Sequence, residues 1–138
     1  MIQFVARSKK NAHTQETKFY AQMAPTIPMT LKEVTEQIER ECTVSTPDIL
    51  AVLNALEHTI IQALRNGHAI RLGDLGSFRP TLHSSGALTP EEVNASLIKR
   101  VRCRFTPSAT ILHNLSLSTV NFLQVKGAKG QPSGPEIL

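Results

Sequence analysis

The residues with the clearest chemical reach are arginines at alternate positions. In Ser96–Phe105, SLIKRVRCRF, Arg100, Arg102 and Arg104 alternate with Val101, Cys103 and Phe105. Side chains of a β-strand point to opposite faces in turn, so the three guanidiniums would share one side and the apolar residues the other. A second run, Ser77–His83, alternates in the same way, with Arg79, Thr81 and His83 on one side and Phe78, Pro80 and Leu82 on the other. Paired, the two strands make a ribbon with an apolar underside and a row of arginines above it. Like charges two residues apart repel unless an anion lies over them. The planar guanidinium fork suits phosphate because it donates to two oxygens at once. Lys99 and Arg71 are further cations of the same region. The bland alternative is a solvated outer face with three arginines by chance.

The elements that must hold this ribbon centre on residues 45–78. A helix is predicted from a Thr46 cap through Asn66. Pro47 suits its first turn, Asp48 meets the positive end of the dipole, and Gly67 suits the left-handed residue beyond the end. Ile49, Leu53, Leu56, Ile60 and Leu64 make one apolar stripe, and Leu50, Val52 and Ile61 widen it beyond an ordinary surface helix. Cover from a second copy of the chain would answer this; a central core helix in a monomer is the other reading. A preceding helix begins at Thr30, where Thr30 and Glu33 have capping-box spacing. Leu31, Val34, Ile38 and Cys42 form its core stripe. After Gly67 come a half-buried strand at Ile70–Leu72, a tight turn between Gly73 and Gly76, and a strand carrying Phe78 inward.

That order of elements resembles the bacterial histone-like family, the HU and integration-host-factor group, over residues 31–115. The matching residues are Leu72, Gly76, Ser77 and Phe78, then Phe105-Thr106-Pro107 before a short helix. The extra segments at both ends are most similar to the larger HU-like proteins of Bacteroides-type bacteria. The resemblance implies an α+β histone-like fold: two helices, a sheet with a β-arm and a short C-terminal helix. It also implies a homodimer that binds double-stranded DNA, with no catalytic role and no cofactor. Three departures stand out. Asp74 and Leu75 replace the family's usual Gly and Phe. The family's lysines after the position of Phe105 are missing, with Thr106 and Ala109 standing there. The arm-tip Arg-Asn-Pro is also absent: Pro90 is followed by Glu91 and Glu92, whose charge opposes entry into a minor groove. Insertion of Pro90 between base pairs is therefore not carried over, and Thr89–Glu92 reads as a helical turn or shaped loop. A protein-interaction module that has lost its arms is the rival to DNA binding.

Charge is unevenly spread. The chain of 138 residues has a formal net charge of +4. Residues 30–66 are acidic. Residues 67–106 are basic, and so is the leader 1–29, where Arg7, Lys9, Lys10 and Lys18 face only Glu16. Basic charge concentrated on part of a fold is the footprint of a polyanion binder. The leader reads as two strands, Ile2–Arg7 and Lys18–Met23, joined by a polar loop. Its Arg7, Lys9 and Lys10 are second-tier phosphate contacts or plain loop charges. The division expected is a β extension over 1–29, an HU-like domain over 30–125 and a flexible Gly/Pro/Ser-rich tail over 126–138. Within the domain, residues 107–117 suggest a short helix with Ile111, Leu112 and Leu115 inward, and residues 120–125 a last strand that could pair with the first.

Other function classes find little support. Cys42 and Cys103 lie far apart, which fits a reducing, cytoplasmic setting, and Cys103 falls on the apolar side of its strand as a core thiol. No run reaches the roughly 20 apolar residues of a membrane span. His13, His58, His68, His83 and His113 show no metal-ligand spacing, and the glycines at 73 and 76 have no following Lys to make a phosphate loop. A helix-turn-helix is set aside because the start of the long helix has no Arg, Lys, Gln or Asn to read bases.

Overall fold

The computed structural model describes residues 1–127, and the predicted tail lies outside them from Ala128 on. Six strands and three helices follow in the order β1 (Ile2–Lys10), β2 (Thr17–Met23), α1 (Leu31–Glu41), α2 (Thr46–Arg65), β3 (Ile70–Arg71), β4 (Gly76–Ser84), β5 (Ile98–Pro107), α3 (Ala109–Asn114) and β6 (Phe122–Gln124). The described residues divide into two compact units: residues 1–28 with residues 115–127, and Met29–Asn114. The last strand pairs with the first, as the sequence allows, and this pairing draws residues 115–125 to the N-terminal strands although the sequence division groups them with the helices.

The N-terminal unit is a three-stranded sheet in the order β2-β1-β6. β1 and β2 are antiparallel and β6 runs parallel to β1. The hairpin is longer than the sequence pattern suggested, and Lys9 and Lys10 lie on the strand, opposite Lys18 and Thr17. Six residues suffice for the connection, because the Asn11 side chain accepts the N–H groups of His13 and Thr14 and Gln15 takes a left-handed backbone at φ 57°. Val5 and Ala24 are its buried apolar residues.

The second unit opens with the capping box. The Thr30 N–H donates to Glu33 Oε2 (2.7 Å), and the Glu33 N–H donates back to Thr30 Oγ1 (3.3 Å). The Thr30 N–H, and after it the Thr30 hydroxyl, which donates to the same Oε2, hold the Glu33 carboxyl below the usual carboxylate range. The cap of α2 is Ser45, one residue before the expected Thr46. Its hydroxyl accepts from the Asp48 N–H and donates to Asp48 Oδ2. Thr46 becomes the first helical residue, and its N–H donates to Glu39 Oε1 of α1. At the other end Gly67 is left-handed (φ 78°). Its N–H donates to Leu64 O, and the His68 N–H to Ala63 O, satisfying two carbonyls that the helix end leaves open.

Cover over α2 is one-sided. Ile49 is buried, and Leu53, Leu56, Ile60 and Leu64 are half-buried, while Leu50, Val52 and Ile61 stay exposed. The expected stripe of α1 is likewise incompletely covered. Thr35 is its buried residue, with its hydroxyl donating to Lys32 O, whereas Leu31 and Cys42 are exposed. In α3, Ile111 is half-buried, but Leu112 and Leu115 beyond it are exposed instead of packed inward. Among the described residues no element covers the exposed side chains of this group.

Candidate nucleic-acid interface

β3, β4 and β5 form one antiparallel sheet, and its register decides which cations meet. Arg79 lies opposite Arg104, Thr81 opposite Arg102 and His83 opposite Arg100. Facing residues of a ladder share a side, so these six make one polar surface. β3 extends it: Arg71 lies opposite Ser77, which is two residues from Arg79. Five guanidiniums, those of Arg71, Arg79, Arg100, Arg102 and Arg104, thus come to one side of a three-stranded ribbon. Successive arginines on β5 stand about 7 Å apart along the strand and about 5 Å from their partners across it. All five residues are exposed, and among the described residues no carboxylate forms an ion pair with any of them.

Lys99 sits differently. The register shifts between His83 and Ser84, so that Arg100 and Ile98 are paired while Lys99 between them has no facing residue. It is the extra residue of a β-bulge, and simple alternation does not place it on the arginine side. Arg7, Lys9 and Lys10 belong to β1, in the other unit.

The opposite side of the ribbon carries Phe78 facing Phe105, Pro80 facing Cys103 and Leu82 facing Val101. The two Phe rings are tilted at 46° with centroids 4.9 Å apart, a favourable edge-inclined contact. Farther out the underside is open: Leu82 is 66 % exposed and Val101 63 %. Cys103 is a free, exposed thiol, not a core one, because among the described residues no element covers this outer part of the underside.

The base of the ribbon is fixed by the turn at 72–76. The Leu72 N–H donates to Gly76 O, and Gly76, at φ 135°, is buried against Phe105. Asp74, where the sequence departs from the histone-like pattern, ties this turn to α3. Its backbone carbonyl accepts from Ser108 Oγ and its carboxylate from Thr110 Oγ1 (3.2 Å). Ser108 also caps α3 by accepting the Ile111 N–H. This role was hidden in the sequence because the partners are more than thirty positions apart. The segment joining β4 to β5 contains two 3-10 turns, Pro90–Glu92 and Ala95–Leu97, and the first presents Glu91 and Glu92 to solvent.

The family described as "HU-HIG: HU domain fused to wHTH, Ig, or Glycine-rich motif" matches residues 1–122. The chain belongs to this HU-like family. Its structure is similar to that of a protein from Bacteroides vulgatus described as a "Putative bacterial DNA binding protein", with a TM-score of 0.63 at 9 % identity over 94 % of this chain. The HU-like chain spans 50 % of that protein's length. It is also similar to Anabaena HU, solved in a cocrystal with DNA, with a TM-score of 0.51 at 19 % identity over 64 % of this chain and 99 % of that one. At such identities the likeness is one of fold. Among curated proteins no match was found.

Within the described residues, no group of three or more His, Cys, Asp or Glu side chains is placed to hold a metal, and no helix is long and apolar enough to cross a membrane.

Proposed function

We propose that this HU-like chain binds double-stranded DNA mainly through its phosphates, with little sequence preference, as a nucleoid-associated protein of the cytoplasm. The single observation that carries the reading is the register of β4 and β5, which gathers Arg79, Arg100, Arg102 and Arg104 on one exposed side with Arg71 at its margin. Phosphates offer acceptors in every direction and no sequence information, and guanidinium forks are their natural partners. Lys99 at the bulge adds a flanking charge. Family membership and the DNA-bound Anabaena relative support the same reading. No catalytic step, metal or small-molecule substrate enters it.

The working unit is a homodimer. Ile49 is the buried apolar residue of the helical unit, while Leu50, Val52 and Ile61 on α2 and Leu82 and Val101 under the ribbon are exposed. A second copy would cover such surface and double the cationic face. The arm reads as reduced: Glu91 and Glu92 at its turn oppose insertion between base pairs, so strong bending through Pro90 forms no part of the proposal.

A mobility-shift titration with random duplex DNA at two salt concentrations tests this. Log affinity should fall with log salt by about 0.9 per phosphate neutralised. Replacing Arg100, Arg102 and Arg104 by Ala should weaken unrelated sequences equally. Absence of a shift at tens of micromolar would favour a protein-interaction module, a reading to which the open apolar underside of the ribbon also lends itself.

A further inference from the structure

The N-terminal unit carries a second cationic face, separate from the arginine ribbon. Alternation along β1 puts Arg7 and Lys9 on one side, and the ladder sets Tyr20 opposite Arg7 and Lys18 opposite Lys9. Two lysines directly opposed repel, and among the described residues no carboxylate ion-pairs with either. Beside them is a shallow hollow of about 330 Å³ lined also by Lys10, Asn11, Thr14 and one carboxylate, Glu16. Tyr20 lies in the middle of this charge. The residue is 50 % exposed, and Lys9 Nζ stands 5.9 Å from its ring centroid.

An exposed ring framed by cations matches the two parts of an unpaired nucleotide. The base stacks on the ring and the adjoining phosphates meet the charges. A duplex cannot use the ring in this way, since its bases already stack on one another. The dimensions agree. Arg7 and Lys9 lie about 7 Å apart along the strand and about 5 Å from their partners, which suits one or two nucleotides of one strand and falls short of the ~12 Å width of a major groove.

We propose that the face formed by Arg7, Lys9, Lys18 and Tyr20 binds single-stranded nucleic acid, with one base stacked on Tyr20 and its flanking phosphates held by the three cations. This site does not depend on the duplex reading of the arginine ribbon.

The full-length protein supplies its own reporter, because Tyr20 is its one tyrosine and it has no tryptophan. Titration with a thymidine oligonucleotide, corrected for absorbance with free tyrosinamide, should quench the emission in a saturable way. Random duplex at equal phosphate concentration should leave it largely unchanged. In anisotropy with a labelled oligonucleotide, Tyr20→Ala should weaken binding about five- to hundredfold, Tyr20→Phe should restore it, and Lys9→Ala with Lys18→Ala should flatten its salt dependence. Duplex mobility shifts should be the same for wild type and Tyr20→Ala, which separates this site from the arginine ribbon. Three results would overturn the proposal: no anisotropy change at tens of micromolar, equal quenching by duplex, or wild-type oligonucleotide binding by Tyr20→Ala. Tyr20→Phe, which keeps the ring, guards against a folding defect being taken for lost stacking.

Discussion

Arg79 on β4 and Arg104 on β5 face each other directly across one antiparallel ladder, and no carboxylate of the described residues forms an ion pair with either. Facing pairs in a sheet change stability by roughly 0.2–1 kcal/mol, unfavourably when the charges are alike. In the proposed complex a phosphate would lie over both and reverse that sign. Arg104→Thr puts a strand-favouring neutral residue there. The variant should be slightly more stable than wild type in denaturant titration, by up to about 1 kcal/mol, and should bind random duplex more weakly at low salt. A variant that gains no stability and loses no affinity would remove this pair from the interface.

Gly76 should tolerate no side chain. Its backbone at φ 135° is in a region that other residues rarely adopt, and an added Cβ would meet the Thr106 carbonyl oxygen and come within 2.9 Å of the Phe105 ring. Both neighbours belong to β5, so relief of the clash moves the strand that carries the arginines. Gly76→Ala should lose about 1–3 kcal/mol through backbone strain alone. Duplex binding should fall in parallel, although no phosphate contact is touched. Chemical denaturation with a parallel mobility shift checks both.

The arginine ribbon was legible because strand alternation follows from sequence spacing alone. Arg100, Arg102 and Arg104 share a side by their numbers, and Arg79, Thr81 and His83 do likewise. What spacing could not give was register: that Arg79 meets Arg104, or that a bulge leaves Lys99 unpaired. The α2 pattern was also informative, since Leu50, Val52 and Ile61, the residues in excess of one stripe, are the ones left exposed. Errors fell where distant partners decide. The charge of Lys9 and Lys10 suggests a loop and hides a strand that backbone pairing with Lys18 and Thr17 sustains. The apolar character of Cys103, Leu112 and Leu115 points to a core, yet among the described residues no element lies over them.

Acid should weaken the start of α1. Glu33 is bonded in its charged form by Thr30 and its pKa is lowered in the fold. A lowered folded value means that the contribution is complete above the unfolded carboxylate pKa. It is lost as the pH falls through the folded one. Glu33→Gln keeps the capping-box geometry without the charge. Following helicity by circular dichroism between neutral pH and pH 3, the wild type should lose more than Glu33→Gln over the lower part of that range. Equal losses would mean that the Thr30–Glu33 bonds do not carry the effect.

The exposed half of α2 offers the sharpest test of the homodimer. Val52 is 64 % exposed and Ile61 44 %, and Leu50 accompanies them. If a second copy covers this face, wild type should sediment at twice its chain mass, and its melting temperature should rise with protein concentration, as for any fold stabilised by association. Val52→Glu with Ile61→Glu would bury two carboxylates in that interface. Buried unpaired charge is strongly unfavourable, so the variant should sediment as a monomer and lose the concentration dependence. Its duplex affinity should drop together with the salt slope, because each molecule would then carry one ribbon instead of two. A variant that remains dimeric would move the interface off α2, and the open underside at Leu82 and Val101 would be the next surface to charge.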